Sequence, residues 1–201
     1  PVEISTGAVN EALLRGSKNS AYGIADEEAE ARAEQLIEEC RSSGTSVGGI
    51  IEVVAYNLPV GLGSYVHYER RLDGLIAQAL MSIPAIKGVE FGSAFGLASS
   101  PAGVSGDSLR VNEQQQIVYV GNANGGLTGG VSTGQPLVVR CAVKPIPTAM
   151  TGTSVDISTL APVQGVKERS DVTAVPAVRV IAENVLAWTL LVALLTDGPQ
   201  G

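Results

Sequence analysis

Segments with helical periodicity and short β-branched segments both occur along this 201-residue chain. One helix is predicted from an N-cap at Asp26 to a stop at Gly44, because Asp satisfies helical N–H groups and Gly adopts the left-handed cap. Apolar residues spaced three and four apart predict further helices over 71–83 and 178–195. Strands are predicted over 47–56, 86–91, 116–120, 137–143 and 154–157. The order strand-helix-strand-strand-strand-helix indicates an α+β layered domain.

The chain is long enough to bury one good core, and residues 1–201 are expected to form a single domain. Residues 1–25 lack clear periodicity and are treated as a poorly defined leader, which leaves 26–201 as the core region. Only eight residues are aromatic, so this core must be built from Val, Ile, Leu and Ala. A long loop is expected over 92–112, and the last helix is expected to be buried.

Charge and hydropathy exclude several classes of partner. The net charge is −7, and residues 1–45 carry nine acidic but only four basic residues. No basic stripe with interleaved aromatics is present, so nucleic acid is not an expected partner. The longest apolar run, 185–195, is much shorter than the roughly 20 residues that span a bilayer. With only Cys40 and Cys141 available, reduced thiols and a cytoplasmic location are expected.

Histidine occurs once, at His67, in the polar stretch SYVHYERR. A single imidazole excludes a metal site built from several histidines, and no cluster of metal-ligand residues is apparent elsewhere. No metal is therefore predicted. A surface position is expected for His67 rather than a catalytic one.

Six glycines within GNANGGLTGGVSTG, residues 121–134, form the first candidate site. Glycine lets backbone N–H groups approach an anion or a flavin closely, but tight turns or a flexible loop explain the same composition. The segment does not carry a common nucleotide-binding motif, because Gln135 stands where a phosphate-binding loop requires Lys.

Two further candidates lie nearer the carboxy terminus. Lys144 begins the proline-stiffened segment KPIPT, where a fixed cation suits a phosphate and a solvated lysine is equally compatible. Arg169 and Asp171 precede the last helix. Arg169 could bind an anion while Asp171 handles a proton, or Asp171 could simply cap the helix.

The same stretches resemble the chorismate synthase family. The matching runs occur in the order of the family, and the likeness extends over about residues 17–196. They are TSVGGIIEVVAYNLPVGLGS (45–64), RLDGLIAQALMSIPAIKGVEFGSAF (71–95), NANGGLTGGVSTGQPLVVRCAVKPIPT (122–148) and RSDVTAVPA (169–177).

This resemblance implies a β-α-β sandwich of the chorismate synthase type, here its carboxy-terminal half. It also implies the final reaction of the shikimate pathway, an anti 1,4-elimination of phosphate from 5-enolpyruvylshikimate 3-phosphate that yields chorismate. The family requires reduced FMN without net redox change; NADPH is needed only where a flavin reductase supplies it. A cytoplasmic homotetramer is the implied assembly.

The resemblance also implies a set of site residues. Asp171 matches the aspartate near the reactive nitrogen of the flavin and is the predicted catalytic residue. The implied FMN contacts are Pro84, Ala85, Gly129, Lys144, Pro145, Ile146, Pro147, Thr148 and Arg169. Two positions depart from many relatives, which carry Gln in place of Pro84 and Arg in place of Ala177.

The larger departure is an absence from this sequence. The amino-terminal half of the family carries two catalytic histidines, most substrate-binding arginines and a further flavin segment, and His67 matches neither histidine. Three interpretations follow: a fragment of a chorismate synthase, one subunit of a split enzyme whose other chain supplies the missing half, or a non-catalytic flavin-binding or assembly homologue. The first is favoured, and this chain alone is expected to be inactive.

Overall fold

The protein is described by a computed structural model over residues 15–17, 20–102, 107–147, 153–165 and 171–196. About 36% of it is helical and 23% is strand, which confirms the α+β class. The helices are α1 (Glu27–Ser43), α2 (Leu72–Met81), α3 (Ala94–Ala98) and α4 (Val175–Thr196). The strands are β1 (Gly49–Ala55), β2 (Ile86–Phe91), β3 (Ser108–Val111), β4 (Ile117–Val120), β5 (Leu127–Thr128), β6 (Val131–Ser132), β7 (Leu137–Val143), β8 (Thr153–Val155) and β9 (Pro162–Gln164).

The described residues group into two compact units. Unit 1 draws on 1–49 and 143–179, and unit 2 draws on 50–142 and 180–201. Each unit is described below by itself. The single-domain organisation expected for 1–201 stays a prediction.

A three-stranded sheet with the order β1-β7-β2 provides the main core. Along the central strand β7, alternate side chains are buried on one face, as the period of two requires. This face comprises Leu137, Val139, Cys141 and Val143. The amide of Gly92 donates to the carbonyl of Val138, and a Cβ at Gly88 would lie 3.7 Å from that of Ala142. Since one number rises as the other falls, β2 and β7 run antiparallel.

The termini of α1 confirm the predicted caps. The carboxylate of Asp26 accepts from the amide of Ala29 at 2.7 Å, and Gly44 adopts φ 67° at the C-cap. Ala29 and Ile37 are the buried residues of this helix. Before it, the hydroxyl of Ser20 donates to Glu30 at 2.6 Å, so part of the predicted leader makes contacts with α1. Residues 1–14 and 18–19 lie outside the described residues.

The loop prediction over 92–112 was wrong, because this stretch contains α3 and β3. The carboxylate of Glu90 accepts from the amide of Phe95 at 2.9 Å and also from the guanidinium of Arg140 at 3.0 Å. A side chain four residues before the helix, held by a residue fifty positions away, therefore caps α3. Local sequence did not reveal this partner.

Pairing with a later strand also explains β3, which forms an antiparallel hairpin with β4. The predicted strand over 154–157 is in fact β8, paired with the unforeseen β9. Short strands of this kind depend on their partners more than on their own composition.

The last helix begins at Val175, three residues before the predicted start. Pro176 is compatible with this because the first turn needs no amide donor from it. The expectation that this helix is buried was wrong for one of its faces. Its buried residues follow one face, and they are Val178, Ala182, Leu186, Leu190 and Ala193. By length and composition α4 could cross a membrane, a property shared by core helices of soluble proteins.

Candidate functional site

Segment 144–147 leaves strand β7 in unit 1 and carries four of the predicted FMN contacts. Lys144, Pro145 and Pro147 are exposed, and Ile146 is half-buried. The hydroxyl of Ser46 donates to the carbonyl of Ile146 at 2.5 Å. Ser46, one hundred positions before Ile146, thus fixes the backbone of the segment that contains Lys144.

A close backbone approach at Gly48 supports the same arrangement. A Cβ at this position would lie 2.2 Å from the carbonyl oxygen of Val143 and 2.9 Å from the nitrogen of Pro145. Both atoms belong to backbone, so neither can yield as a flexible side chain would. Only glycine therefore lets this strand edge reach the start of the proline segment.

Val47, the residue after Ser46, contacts the backbone next to Asp171. The amide of Val47 donates to the carbonyl of Val172 at 2.9 Å. Ser46 and Val47 thus bind the proline segment through one residue and the Asp171 region through the next. Asp171 is exposed. The predicted contacts Thr148 and Arg169 lie outside the described residues.

Ser46, Val47 and Gly48 were not predicted as site residues. They belong to a run that matches the family, yet a serine before a strand has no chemical signature of its own. The glycine at position 48 is the one signal that this run carries in the sequence. The structure is needed to show that Gly48 lies against the backbone of Val143 and Pro145.

Pro84 and Ala85 lie in unit 2, in a tight turn between α2 and β2. The amide of Ile86 donates to the carbonyl of Ile83 at 3.2 Å, and Ala85 has φ 74°. Proline followed by a positive φ is the pattern of a type II turn, whose third position favours glycine. Ala85 therefore holds a strained backbone conformation, and such conformations are common at ligand contacts.

Gly129 begins the two-residue turn between β5 and β6. Its φ is 64° and that of Gly130 is 91°, as a type I′ hairpin turn requires. A Cβ at Gly129 would meet nothing within 4 Å, whereas one at Gly130 would lie 2.7 Å from the carbonyl oxygen of Ser64. Gly129 thus presents an open backbone to its surroundings.

The other glycines of 121–134 mainly serve internal packing. A Cβ at Gly125 would lie 2.3 Å from the nitrogen of Gly92, and one at Gly126 would lie 2.5 Å from the carbonyl oxygen of Pro136. The carboxylate of Asp107 accepts from the amide of Ala123 at 2.6 Å and fixes the same loop. Most of the cluster therefore forms tight turns, and Gly129 alone of these positions is open; binding of an anion or a flavin there stays a prediction.

The structure does not bring Gly129 close to Pro84 and Ala85 within one copy. The carbonyl of Gly130 accepts from the amide of Leu72 at 2.9 Å, at the start of α2. Pro84 follows the end of that helix. Ten helical residues separate the two regions by about 15 Å. Only an extended ligand could touch both.

Among the described residues, three titratable groups of unit 2 have shifted pKa values: Arg71, Glu52 and Cys141. The side chain of Arg71 covers Gly130, and its hydrogen bonds to Asp73 raise the pKa of the guanidinium above its usual value. On the sheet, burial raises the pKa of Glu52 while the charge of Arg140 opposes that shift. Burial also raises the pKa of the Cys141 thiol to about 11, so this thiol is protonated and inert at neutral pH.

His67 is exposed and immediately precedes a 3₁₀ turn, Tyr68–Arg70. This agrees with the surface position expected for it. In the part of the chain that the structure describes, no group of three or more His, Cys, Asp or Glu residues could hold a metal ion.

Comparison with known proteins identifies the family. The sequence profile of chorismate synthase matches residues 2–195. The chain belongs to the chorismate synthase family. It is 46% identical over 196 residues to the chorismate synthase of Moorella thermoacetica, covering 97% of this chain and 51% of that protein. It is also 48% identical over 159 residues to the chorismate synthase of a Sulfurihydrogenibium species, covering 78% of this chain and 41% of the relative.

A solved crystal structure of a chorismate synthase confirms the fold. It superposes with a TM-score of 0.76 at 37% identity, covering 92% of this chain and 48% of the other. The chain therefore spans about half the length of the chorismate synthases that it matches.

Proposed function

We propose that this chain forms the FMN- and phosphate-binding part of a chorismate synthase. The complete enzyme would eliminate phosphate from 5-enolpyruvylshikimate 3-phosphate, breaking the carbon–oxygen bond to phosphate and removing a proton to give chorismate. The observation that carries this proposal is the arrangement at Ser46 and Val47. These residues bind both the Lys144 segment and the Asp171 region within unit 1.

The described residues fit FMN in three respects. Gly129 offers an open backbone with a left-handed φ, and Lys144 offers an exposed cation on a proline-stiffened segment. Ala85 adds a strained turn of the kind found at ligand contacts. Within unit 2, Gly129 and the Pro84–Ala85 turn are the proposed contacts. Within unit 1 they are the residues of segment 144–147, and the family resemblance adds Thr148 and Arg169.

Each side chain then has a definite task. When bound, reduced FMN supplies transient electron donation without net redox change. The Lys144 ammonium neutralises a phosphate by a charge-assisted hydrogen bond. The Asp171 carboxylate, which is exposed, would accept or relay the proton removed in the elimination. The proline segment and Ser46 keep the cation in position and so reduce the ordering cost of binding.

The proposed enzyme is complete only with the half that this chain does not span. Within these 201 residues the single histidine, His67, lies exposed outside the site segments. We expect the complete protein to be a cytoplasmic homotetramer. The missing half would then be supplied by the same polypeptide or by a separate chain. NADPH is required only where a flavin reductase accompanies the enzyme.

An anaerobic assay with reduced FMN and 5-enolpyruvylshikimate 3-phosphate tests this proposal. The chain alone should form no chorismate. Co-expression with the portion of the Moorella thermoacetica enzyme that it does not match should restore turnover. Measurable turnover by the chain alone would contradict the proposed division of labour.

Variants of Asp171 test its assigned role in the restored enzyme. Asp171→Ala should lower the rate about a hundredfold or more, the usual contribution of a positioned acid or base, with little change in FMN affinity. A large loss of affinity instead would make Asp171 a structural residue.

A second candidate is a non-catalytic flavin-binding or assembly homologue. The single histidine of this chain favours it, because the resemblance implies two catalytic histidines and His67 matches neither. This candidate predicts flavin or partner binding without chorismate formation under any complementation.

A further inference from the structure

Asn124 and Gly125 form the only Asn-Gly pair of the chain, within segment 121–134. Such a pair can deamidate without an enzyme. The backbone nitrogen of the glycine gives up its proton and bonds to the side-chain carbonyl carbon of the asparagine, while the side-chain nitrogen takes a proton and leaves as ammonia. Water then opens the succinimide ring to aspartate or isoaspartate. Glycine favours this reaction because no Cβ restricts its backbone or shields its nitrogen.

Asp107 holds the side chain of Asn124 in one orientation. Its carboxylate oxygen Oδ2 accepts from the backbone nitrogen and from the side-chain Nδ2 of Asn124, each at 3.0 Å. An ionised carboxylate only accepts, so the side-chain nitrogen of Asn124 must face it. The other oxygen, Oδ1, accepts from the amide of Ala123 at 2.6 Å. These hydrogen bonds fix both the backbone and the side chain of Asn124.

The attacking nitrogen of Gly125 is held as well. It donates to the carbonyl of Asn122 at 3.0 Å. Gly125 also lies against other backbone, because a Cβ there would be 2.3 Å from the nitrogen of Gly92 and 2.8 Å from the carbonyl oxygen of Val138. Ring closure requires the nitrogen to leave this position. It therefore proceeds from a locally opened loop and not from the closed one.

We propose that Asn124 is a deamidation site whose rate of conversion is set by Asp107. The change is one-way, because ammonia is lost and the closed loop does not accept either product. Aspartate would place a second carboxylate where Nδ2 now lies, 3.0 Å from that of Asp107, and the two charges would repel. Isoaspartate lengthens the backbone where Gly125 is already in close contact with Gly92. Conversion would thus disrupt the segment that also carries Gly129.

Peptide mapping of the full chain measures this conversion. Trypsin places Asn124 in the peptide 111–140, together with Asn112 and Asn122, which do not precede glycine and serve as internal references. Folded chain and chain unfolded in guanidinium chloride are incubated side by side at mildly alkaline pH. Asn124 should convert at least about tenfold more slowly in the folded chain, because local opening limits the reaction. Neither flavin nor turnover is needed, so the result is independent of the proposed function.

Variants of Asp107 test its part in the folded chain, and circular dichroism checks that each is folded. Asp107→Ala should raise the rate of Asn124 conversion about tenfold, as expected for the loss of about one net hydrogen bond. If Asp107→Ala does not fold, Asp107→Asn replaces it and should raise the rate by a smaller factor, since one acceptor oxygen becomes a donor. Asp156→Ala is the matched control, because this carboxylate accepts from the amides of Ser158 and Thr159 in another turn. It should leave the rate unchanged.

The product is tested by Asn124→Asp. This variant should unfold at a lower urea concentration than the parent. Asn112→Asp is the control, because the Asn112 side-chain oxygen accepts from the amides of Gln114 and Gln116, which a carboxylate can also do. Its unfolding midpoint should stay that of the parent.

Three results would overturn the inference. The first is an equal rate of Asn124 conversion in the folded and the unfolded chain. The second is a folded Asp107 variant that converts Asn124 no faster than the parent or than Asp156→Ala. The third is an Asn124→Asp variant as stable as the parent, because the closed loop would then accept the product and the change would have no structural consequence.

Discussion

Segment 121–134 and segment 144–147 are both expected to bind the flavin, yet they are built in opposite ways. In the first, Gly125 and Gly126 meet neighbouring backbone so closely that no side chain fits. In the second, most residues are exposed, and the backbone is supported by the hydrogen bond from Ser46 to Ile146 and by the close approach of Gly48. The first segment mainly packs against its neighbours and has one open position. The second is an exposed segment whose backbone is fixed by Ser46 and Gly48.

Because of this difference, substitutions in the first segment should change stability and substitutions in the second should change ligand binding. Changes within the packed glycines should unfold the protein before they report on any ligand, whereas changes at 144–147 should alter binding in a folded protein. Gly129 is the informative exception, because it lies in the packed segment but faces open space.

The largest expected effect is a loss of stability on substitution of a packed glycine. Gly125→Ala should lower the free energy of unfolding by about 3 kcal/mol or more, because the added Cβ meets backbone and the left-handed φ is retained. Gly129→Ala should cost only about 1 kcal/mol, from φ alone. Urea denaturation of both variants makes the comparison. Equal losses would show that the two glycines are equivalent.

The next effect concerns binding without stability. Lys144→Ala should weaken FMN binding about tenfold, which corresponds to one charge-assisted hydrogen bond of about 1.4 kcal/mol. The free energy of unfolding should change by less than about 0.5 kcal/mol, because the side chain is exposed. Flavin fluorescence titration gives the affinity. Lys87→Ala removes another exposed lysine and serves as control; if both variants bind FMN as the parent does, Lys144 has no phosphate role.

A smaller effect tests whether Ser46 supports the binding segment. Ser46→Ala should lower the free energy of unfolding by about 1 kcal/mol, because the carbonyl of Ile146 loses its donor. FMN affinity should fall about threefold, less than for Lys144→Ala, since the cation remains but is less well positioned. Ser46→Thr retains the hydroxyl and should restore the affinity. A loss of stability with unchanged affinity would limit Ser46 to a structural role.

The smallest effect concerns the strained turn. Ala85→Gly should raise the free energy of unfolding by about 0.5 kcal/mol, because relief of the left-handed strain slightly exceeds the entropy cost of glycine. Thermal unfolding measures the change. A loss of more than about 1 kcal/mol would mean that the Ala85 methyl group packs usefully, and the argument from strain would fail.

Local sequence predicted those elements whose signals lie within them. Asp26 and Gly44 mark the ends of α1, and the β-branched run over 137–143 predicts strand β7. It failed where a distant partner decides the structure. The carboxylate that caps α3 belongs to Glu90, and it also contacts Arg140, fifty positions later.

The candidate site likewise has residues that the sequence predicted and contacts that it could not predict. The resemblance to chorismate synthase named Lys144, Gly129 and Asp171, and nothing within a single segment could show their neighbours. The contact of Ser46 with Ile146 spans one hundred residues. Gly129 lies near the start of α2 and Pro84 follows its end. The structure was needed to show this separation as well.

The sequence by itself determined the family, the α+β class and most helix ends, because caps, periodicity and long matching runs are properties of neighbouring residues. Only the tertiary structure decided which glycines are packed, which segments Ser46 and Val47 join, and that one apolar face of α4 is exposed. These properties depend on contacts between residues far apart in the chain. The periodicity of α4 shows that it is apolar, but only its packing shows that the face carrying Trp188 is uncovered.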